Sequence, residues 1–248
     1  MVMLPSLTEL LEAGVHFGHK TARWNPKMAP YIFAAKSGVH LINLEKTVEK
    51  LKIALDFLAE ASKEGKVIVF VGTKKQARDI VYKAAQSCNM PYVTERWLGG
   101  TLTNFEIVQR AFNKLERNRI TLTEEKGIEM SKRDKSMLQK EIEKGEKLVG
   151  GLVGLKKKPD ILILIGSYDE KNALLEAKGT GVKTIGLVDT NADPTRVDYP
   201  IPANDDATKS ISLFAELFAK IIRESRGTAQ QKIQVTSNNN QANSNNPV

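Results

Sequence analysis

The chain has 248 residues, 41% hydrophobic and 27% charged, a balance that fits a globular protein and excludes wholesale disorder, collagen-like repeats and a coiled-coil-only architecture. Thirty-seven Lys and Arg against 29 Asp and Glu leave a formal charge of +8, which favours polyanionic partners. One cysteine, Cys88, excludes an intrachain disulfide and a multi-thiolate zinc site.

Ser6-Leu7-Thr8-Glu9 has capping-box spacing and predicts a short first helix that stops at Gly14. Residues 15–36 show no helical period and hold Pro26 and Pro30 among Lys20, Arg23, Lys27 and Lys36, so an extended basic arm is expected. Near its end, Tyr31–Ala34 and Val39–Ile42 flank Ser37-Gly38 as a hairpin would. From residue 43, helical apolar spacing alternates with short β-rich runs. Val48, Leu51, Leu55 and Leu58 mark one helix face, and Ala77, Ile80, Val81, Ala84 and Ala85 the next. Strands are placed at 66–71, 91–94, 160–165, 183–188 and near 199–202. A last helix follows, carrying Ile211, Phe214, Leu217 and Ile221 on one face and Asp205 and Asp206 near its positive end. Parallel strands joined by crossover helices read as a doubly wound α/β sheet.

Residues 104–155 are too long for one crossover and form an insertion. Ile107, Val108, Ala111 and Leu115 line one helix and Met137, Leu138, Ile142, Val149 and Leu152 a second, with the polar stretch Thr121–Ser131 between them; an antiparallel helical hairpin is expected. Between Arg110 and Lys158 stand fourteen basic and eight acidic residues, so most of the net charge lies here. The domains are therefore 1–42 (first helix, arm and hairpin), 43–103 with 156–226 (sheet domain), 104–155 (insertion) and 227–248. This last segment holds ten Asn or Gln and is expected to be disordered. Membrane spanning is excluded, because the longest apolar runs, Val67–Val71 and Ile161–Ile165, are far shorter than the ~20 residues a bilayer requires. The start of the chain lacks a signal-peptide pattern, and a cytoplasmic protein is expected.

An α/β sheet invites a nucleotide, but the phosphate-loop and dinucleotide fingerprints are missing, so no cofactor is expected. Gly72-Thr73-Lys74-Lys75 between strand and helix leaves Lys74 and Lys75 as phosphate contacts or as solvated lysines. No GxSxG surrounds Ser167, and Cys88 reads as a buried small residue; no catalytic residue is assigned. His16 and His19 have a spacing compatible with metal, with Asp189, Asp193, Asp205 and Asp206 as conceivable further ligands. Packing or RNA contact is the plainer reading, and no metal is assigned. Asp189–Pro194 has the composition of a turn after a strand.

The arm carries the better signal. His16, Phe17, Lys20, Arg23, Trp24, Asn25 and Lys27 interleave cations with planar groups, as a surface that grips phosphates and stacks on bases would. Arg96-Trp97-Leu98-Gly99-Gly100-Thr101-Leu102-Thr103-Asn104, after a strand end, offers two glycines for close approach and Thr103 and Asn104 as neutral hydrogen-bonding groups; it reads equally as a structural turn with Trp97 in the core.

Gly14–His19, Arg23–Met28, His40–Thr47, Phe70–Lys74, Arg96–Asn104 and Val188–Pro194 together resemble, in order, the motifs of the bacterial small-subunit ribosomal protein S2 family, over about residues 5–226. The resemblance implies a flavodoxin-like three-layer core with a five-stranded parallel sheet of order 2-1-3-4-5 and an inserted coiled-coil hairpin. It also implies a structural role at the head–body junction of the small subunit. Its partners would be small-subunit (16S) rRNA and neighbouring ribosomal proteins, including the large multi-domain one that captures mRNA, and the chain would not be a homo-oligomer. Lys20, Arg23, Trp24, Lys27, Arg96, Thr103 and Asn104 fall on family motif positions and, with Asn25, Lys74, Lys75, Arg110 and Lys114, are the expected RNA-side residues. The rival reading is an α/β enzyme using the strand-end loops at Gly72, Gly166 and Asp189 as a ligand site.

Overall fold

The computed structural model describes residues 4–123 and 130–243, with backbone only beyond residue 227. Ser6 caps α1 (Leu7–Glu12) in a reciprocal capping box with Glu9, and Gly14, at φ +71°, turns the chain out of it. β1 (Phe17–Lys20), β2 (Ile32–Lys36) and β3 (Val39–Ile42) then form an antiparallel sheet of order β1-β3-β2. The β2–β3 connection places Ser37 and Gly38 both at positive φ, the conformation of a tight two-residue hairpin. The expected hairpin is thus present, but the extended arm is corrected: it carries a third strand and two 3₁₀ turns, Thr21–Arg23 and Pro26–Tyr31. β1 escapes a periodicity search because its four residues are exposed or half-buried and long-range pairing, not alternation, holds them.

The main sheet comprises β4 (Ile68–Val71), β5 (Tyr92–Val93), β6 (Ile161–Ile165), β7 (Lys183–Val188) and β8 (Tyr199–Pro202), all parallel, in the order β5-β4-β6-β7-β8. Numbered by appearance this is 2-1-3-4-5, as the resemblance implies. β4 and β6 are buried throughout because helices cover both faces. Alternate strand residues feed two cores. Ile68, Phe70, Ile161, Ile163, Ile165, Ile185 and Leu187 pack under α2 (Leu44–Lys63), α3 (Arg78–Ser87) and the last helix, which starts at Thr208. Val69, Val71, Leu162, Leu164 and Val188 pack on the other face against α4 (Phe105–Thr123), α5 (Lys132–Val149) and α6 (Lys171–Thr180).

The insertion is helical, and α4 and α5 pack along one another with Lys114 and Asn118 bonded to Glu141 and Arg119 to Glu146. Val108, Phe112 and Leu115 of α4 join the second core, so the root of the insertion belongs to the sheet domain. Of the stretch Thr121–Ser131, expected to be the polar link between the helices, residues 124–129 lie outside the described residues. The last helix, α7, spans Thr208–Asn243.

Candidate nucleic-acid interface and strand-end cluster

Loops leave the carboxyl ends of the strands, and the N-terminal segment with its small sheet lies against those after β7 and β8. Asn25 N–H donates to the Thr190 carbonyl at 2.7 Å, and His19 N–H to Thr190 Oγ1 at 2.8 Å. A Cβ on Gly18 would stand 2.5 Å from Thr190 Cγ2, so only glycine lets β1 approach this closely. The contact carries His19 into a cluster of charged groups. Its Nδ1 lies 3.1 Å from Asp189 Oδ1 and its Nε2 3.3 Å from Asp206 Oδ2, while Asn191 Nδ2 stands 3.1 Å from the same Nε2. The Asp189 carboxylate, with Asp206 and Asp205 behind it, holds the ring above its ordinary pKa despite partial burial.

Lys74, from the loop after β4, enters the same cluster. Its ammonium contacts Asp205 Oδ1, lies 2.8 Å from Asp206 Oδ1 and 3.4 Å from Asp169 Oδ2, and its side chain is 12% exposed. Burial alone would lower the Lys74 pKa, but Asp205 and Asp206 outweigh it and raise it. Asp205 is fully buried. That burial and the nearby Asp189 push its carboxyl up, to about 7, against the pull of Lys74. His19, Asp189 and Asp206 together offer one nitrogen and two carboxylate oxygens within 4.8 Å of one another, a donor set that can hold a small divalent cation. His16 is not part of it.

This cluster fills the crevice where a doubly wound sheet would take a ligand. A Cβ on Gly166 would meet Lys74 Cε at 3.3 Å and Asp205 Oδ2 at 3.4 Å, and one on Gly72 would meet Val81 at 2.7 Å. The three loops singled out for an enzyme reading are packed against the protein's own side chains. Cavities of about 950 and 600 Å³ lie elsewhere, one between α3 and α7 and one at the opposite, amino-terminal end of the strands. The Cys88 thiol, buried beside α3, is pushed up to about 11 by that burial and is a poor nucleophile at neutral pH.

The residues expected to face RNA divide into two groups. Lys20, Arg23, Lys75, Arg96 and Arg110 are exposed and make no ion pair among the described residues; Thr103 and Asn104 are exposed as well. Trp24 is 40% exposed, its ring 5.1 Å from that of His40, and Phe17 and Phe33 stand out from the same small sheet. The others are already engaged. Lys74 is turned inward, and Lys114 pairs with Glu141 at 2.7 Å. Asn25 Oδ1 accepts from Lys27 N–H, and Lys27 Nζ lies 2.7 Å from Asp193 Oδ2. Burial would raise the Asp193 carboxyl, but Lys27 and Thr195 outweigh it and hold it down at about 2. Asp193 also caps the turn Pro194–Arg196, so the Asp189–Pro194 stretch is a turn as its composition indicates.

The loop from Arg96 to Asn104 is held by a residue that no motif singled out. The Glu176 carboxylate, on α6, accepts from Trp97 Nε1 at 3.1 Å, from the N–H groups of Gly100, Leu102 and Thr103 at 2.8, 2.9 and 3.3 Å, and from Thr103 Oγ1 at 3.4 Å. Trp97 and Leu102 are buried in the second core, while Arg96, Gly99, Thr103 and Asn104 face outward. Asn104 opens α4 through its carbonyl, which accepts from Val108 N–H at 3.4 Å. The only trace of Glu176 in the sequence is an acid set among the apolar positions Ala173, Leu174 and Ala177.

Residues 10–225 match the family model described as Ribosomal protein S2. Among curated relatives, the small ribosomal subunit protein uS2 of Coprothermobacter proteolyticus is 44% identical over 222 residues, covering 89% of this chain and 82% of that protein. The uS2 of Geotalea uraniireducens is 44% identical over 229 residues, covering 92% and 90%. That of Nitratiruptor sp. is 43% identical over 232 residues, covering 92% and 86%. With nearly the whole α/β body and its insertion inside the matched region, the chain belongs to the ribosomal protein S2 family.

Proposed function

We propose that this protein is a structural constituent of the small ribosomal subunit that binds small-subunit rRNA through the exposed face of its small sheet and through the Arg96–Asn104 loop. One observation carries the reading: the strand-end crevice is closed by Lys74, Asp205, Asp206 and His19, while Lys20, Arg23 and Arg96 stand outward with no ion pair among the described residues and Trp24 stands exposed beside His40. Cations interleaved with planar rings grip phosphate and stack on exposed bases. A closed crevice serves no diffusible substrate. The family resemblance extends the reading to a place at the head–body junction, to contact with neighbouring small-subunit proteins including the large mRNA-capturing one, and to the cytoplasm.

The test is sedimentation of a cell lysate through a density gradient at low and at elevated salt. The protein is expected to comigrate with the small subunit at both. Free migration at both salts overturns the proposal, and release at elevated salt alone would make the protein a peripheral, charge-held factor instead.

A further inference from the structure

Two features meet at Glu176. The first is the number of its partners: five donors converge on one carboxylate, and three are backbone N–H groups of residues 100, 102 and 103, curled around it as a nest curls around an anion. The second is that, apart from the burial of Trp97, Thr101 and Leu102, the loop has few bonds of its own. It follows β5, a two-residue edge strand, and its own closing bonds are three: Thr101 Oγ1 and Thr101 N–H to the Leu98 carbonyl at 2.6 and 3.2 Å, and Asn104 N–H to the Gly100 carbonyl at 2.7 Å. Gly100, at φ +91°, supplies the reversal that turns the amides inward. At the loop's start, Arg78 Nη1 fixes Glu95 at 2.7 Å, so the curl of the Gly100–Thr103 amides falls chiefly to Glu176.

We propose that Glu176 is a positioning residue for RNA binding: by filling the nest from α6, it holds Arg96, Thr103 and Asn104 in one outward-facing arrangement. The proposal rests on the reading of this loop as an RNA surface. It has a sign that separates it from a simple charge effect. A carboxylate near an RNA interface repels phosphate, so its removal would by electrostatics alone leave binding unchanged or tighten it. Loss of positioning weakens binding instead.

Glu176→Gln in the full chain keeps the size of the side chain but turns an NH₂ toward at least one pair of the donors. The expected result is faster hydrogen exchange at the Gly100, Leu102 and Thr103 amides and about tenfold weaker binding to transcribed small-subunit rRNA, although a negative charge has been removed. Glu176→Asp, which keeps the charge but shortens the reach, is expected to weaken binding likewise and serves if the first variant does not fold. Arg96→Ala combined with Asn104→Ala is measured beside them and should weaken binding without changing exchange at Leu102. If the Glu176 variants bind RNA as the wild type does, or more tightly, while the Arg96 and Asn104 variant binds less, the proposal is overturned. If the Arg96 and Asn104 variant also binds normally, the loop is not an RNA surface, and the underlying reading falls with the proposal.

Discussion

The Lys74 ammonium closes on the Asp205 carboxylate across 131 residues of sequence, at a point where β4 and β8 loops meet with β6 and β7 between them. A lysine that follows a strand and precedes a helix looks like a phosphate ligand; here its charge is spent inside the molecule. Removing it would leave Asp205 buried and Asp206 and Asp169 short of a counter-charge. Lys74→Met is expected to cost about 3–5 kcal/mol at pH well above 7, where Asp205 is ionised in the folded protein, and less at lower pH, where the buried carboxyl can take up a proton instead. Pairing it with Asp205→Asn should recover a large part. Urea unfolding of Lys74→Met, Asp205→Asn and the double variant measures this, and additive losses would show that the two groups do not depend on each other.

The same cluster sets a pH dependence. The His19 pKa is raised above 6.5, so its contribution is fully present below that value and is lost as pH rises through the folded-state pKa. Asp205 tilts the same way: its carboxyl, raised to about 7, binds protons in the folded state that the unfolded chain has released, so stability falls as pH climbs toward 7. Thermal unfolding should therefore give a higher Tm near pH 6 than near pH 8. His19→Asn should flatten part of the slope, leaving the part owed to Asp205.

At Gly18 a methyl group has nowhere to go, since Thr190 lies within 2.7 Å of it through both Cγ2 and Oγ1. Gly18→Ala is expected to lift β1 from the strand-end loops at a cost of about 1–3 kcal/mol, the range for forcing extra volume into a packed contact. The His19 ring should lose its contacts with Asp189 and Asp206 at the same time. An imidazole pKa that returns to its ordinary value, followed by NMR, checks this directly.

Two neighbouring cations of the first motif should behave differently. Arg23 is exposed and makes no ion pair among the described residues, whereas Lys27 is held by Asp193. Arg23→Ala should lower the salt slope of rRNA binding by about 0.7–0.9, the value of one lost phosphate contact. Lys27→Ala should leave the slope alone and cost roughly 0–1 kcal/mol of stability, as an ion pair with one exposed partner does. Equal slope changes for both variants would mean that Lys27 leaves Asp193 on binding RNA.

By itself the sequence determined the five strands of the main sheet and the helices that alternate with them, because burial on both faces leaves continuous apolar runs such as Ile161–Ile165 and burial on one face leaves a 3.6-residue period such as Leu51, Leu55 and Leu58. It also marked Arg23, Trp24 and Arg96, whose mixture of charge and planarity sits in short exposed motifs. The tertiary structure alone decided which of those motifs' side chains point outward. Lys74 turns in because Asp205 and Asp206 wait at the end of β8, Lys27 is claimed by Asp193, and Glu176 matters because the Trp97 indole N–H and the Gly100, Leu102 and Thr103 amides converge on it from 73 to 79 residues away. Apolar periodicity is local and survives in the sequence; the partner of a charge is set by which loops the sheet order brings together, and β5-β4-β6-β7-β8 is not the order of the chain.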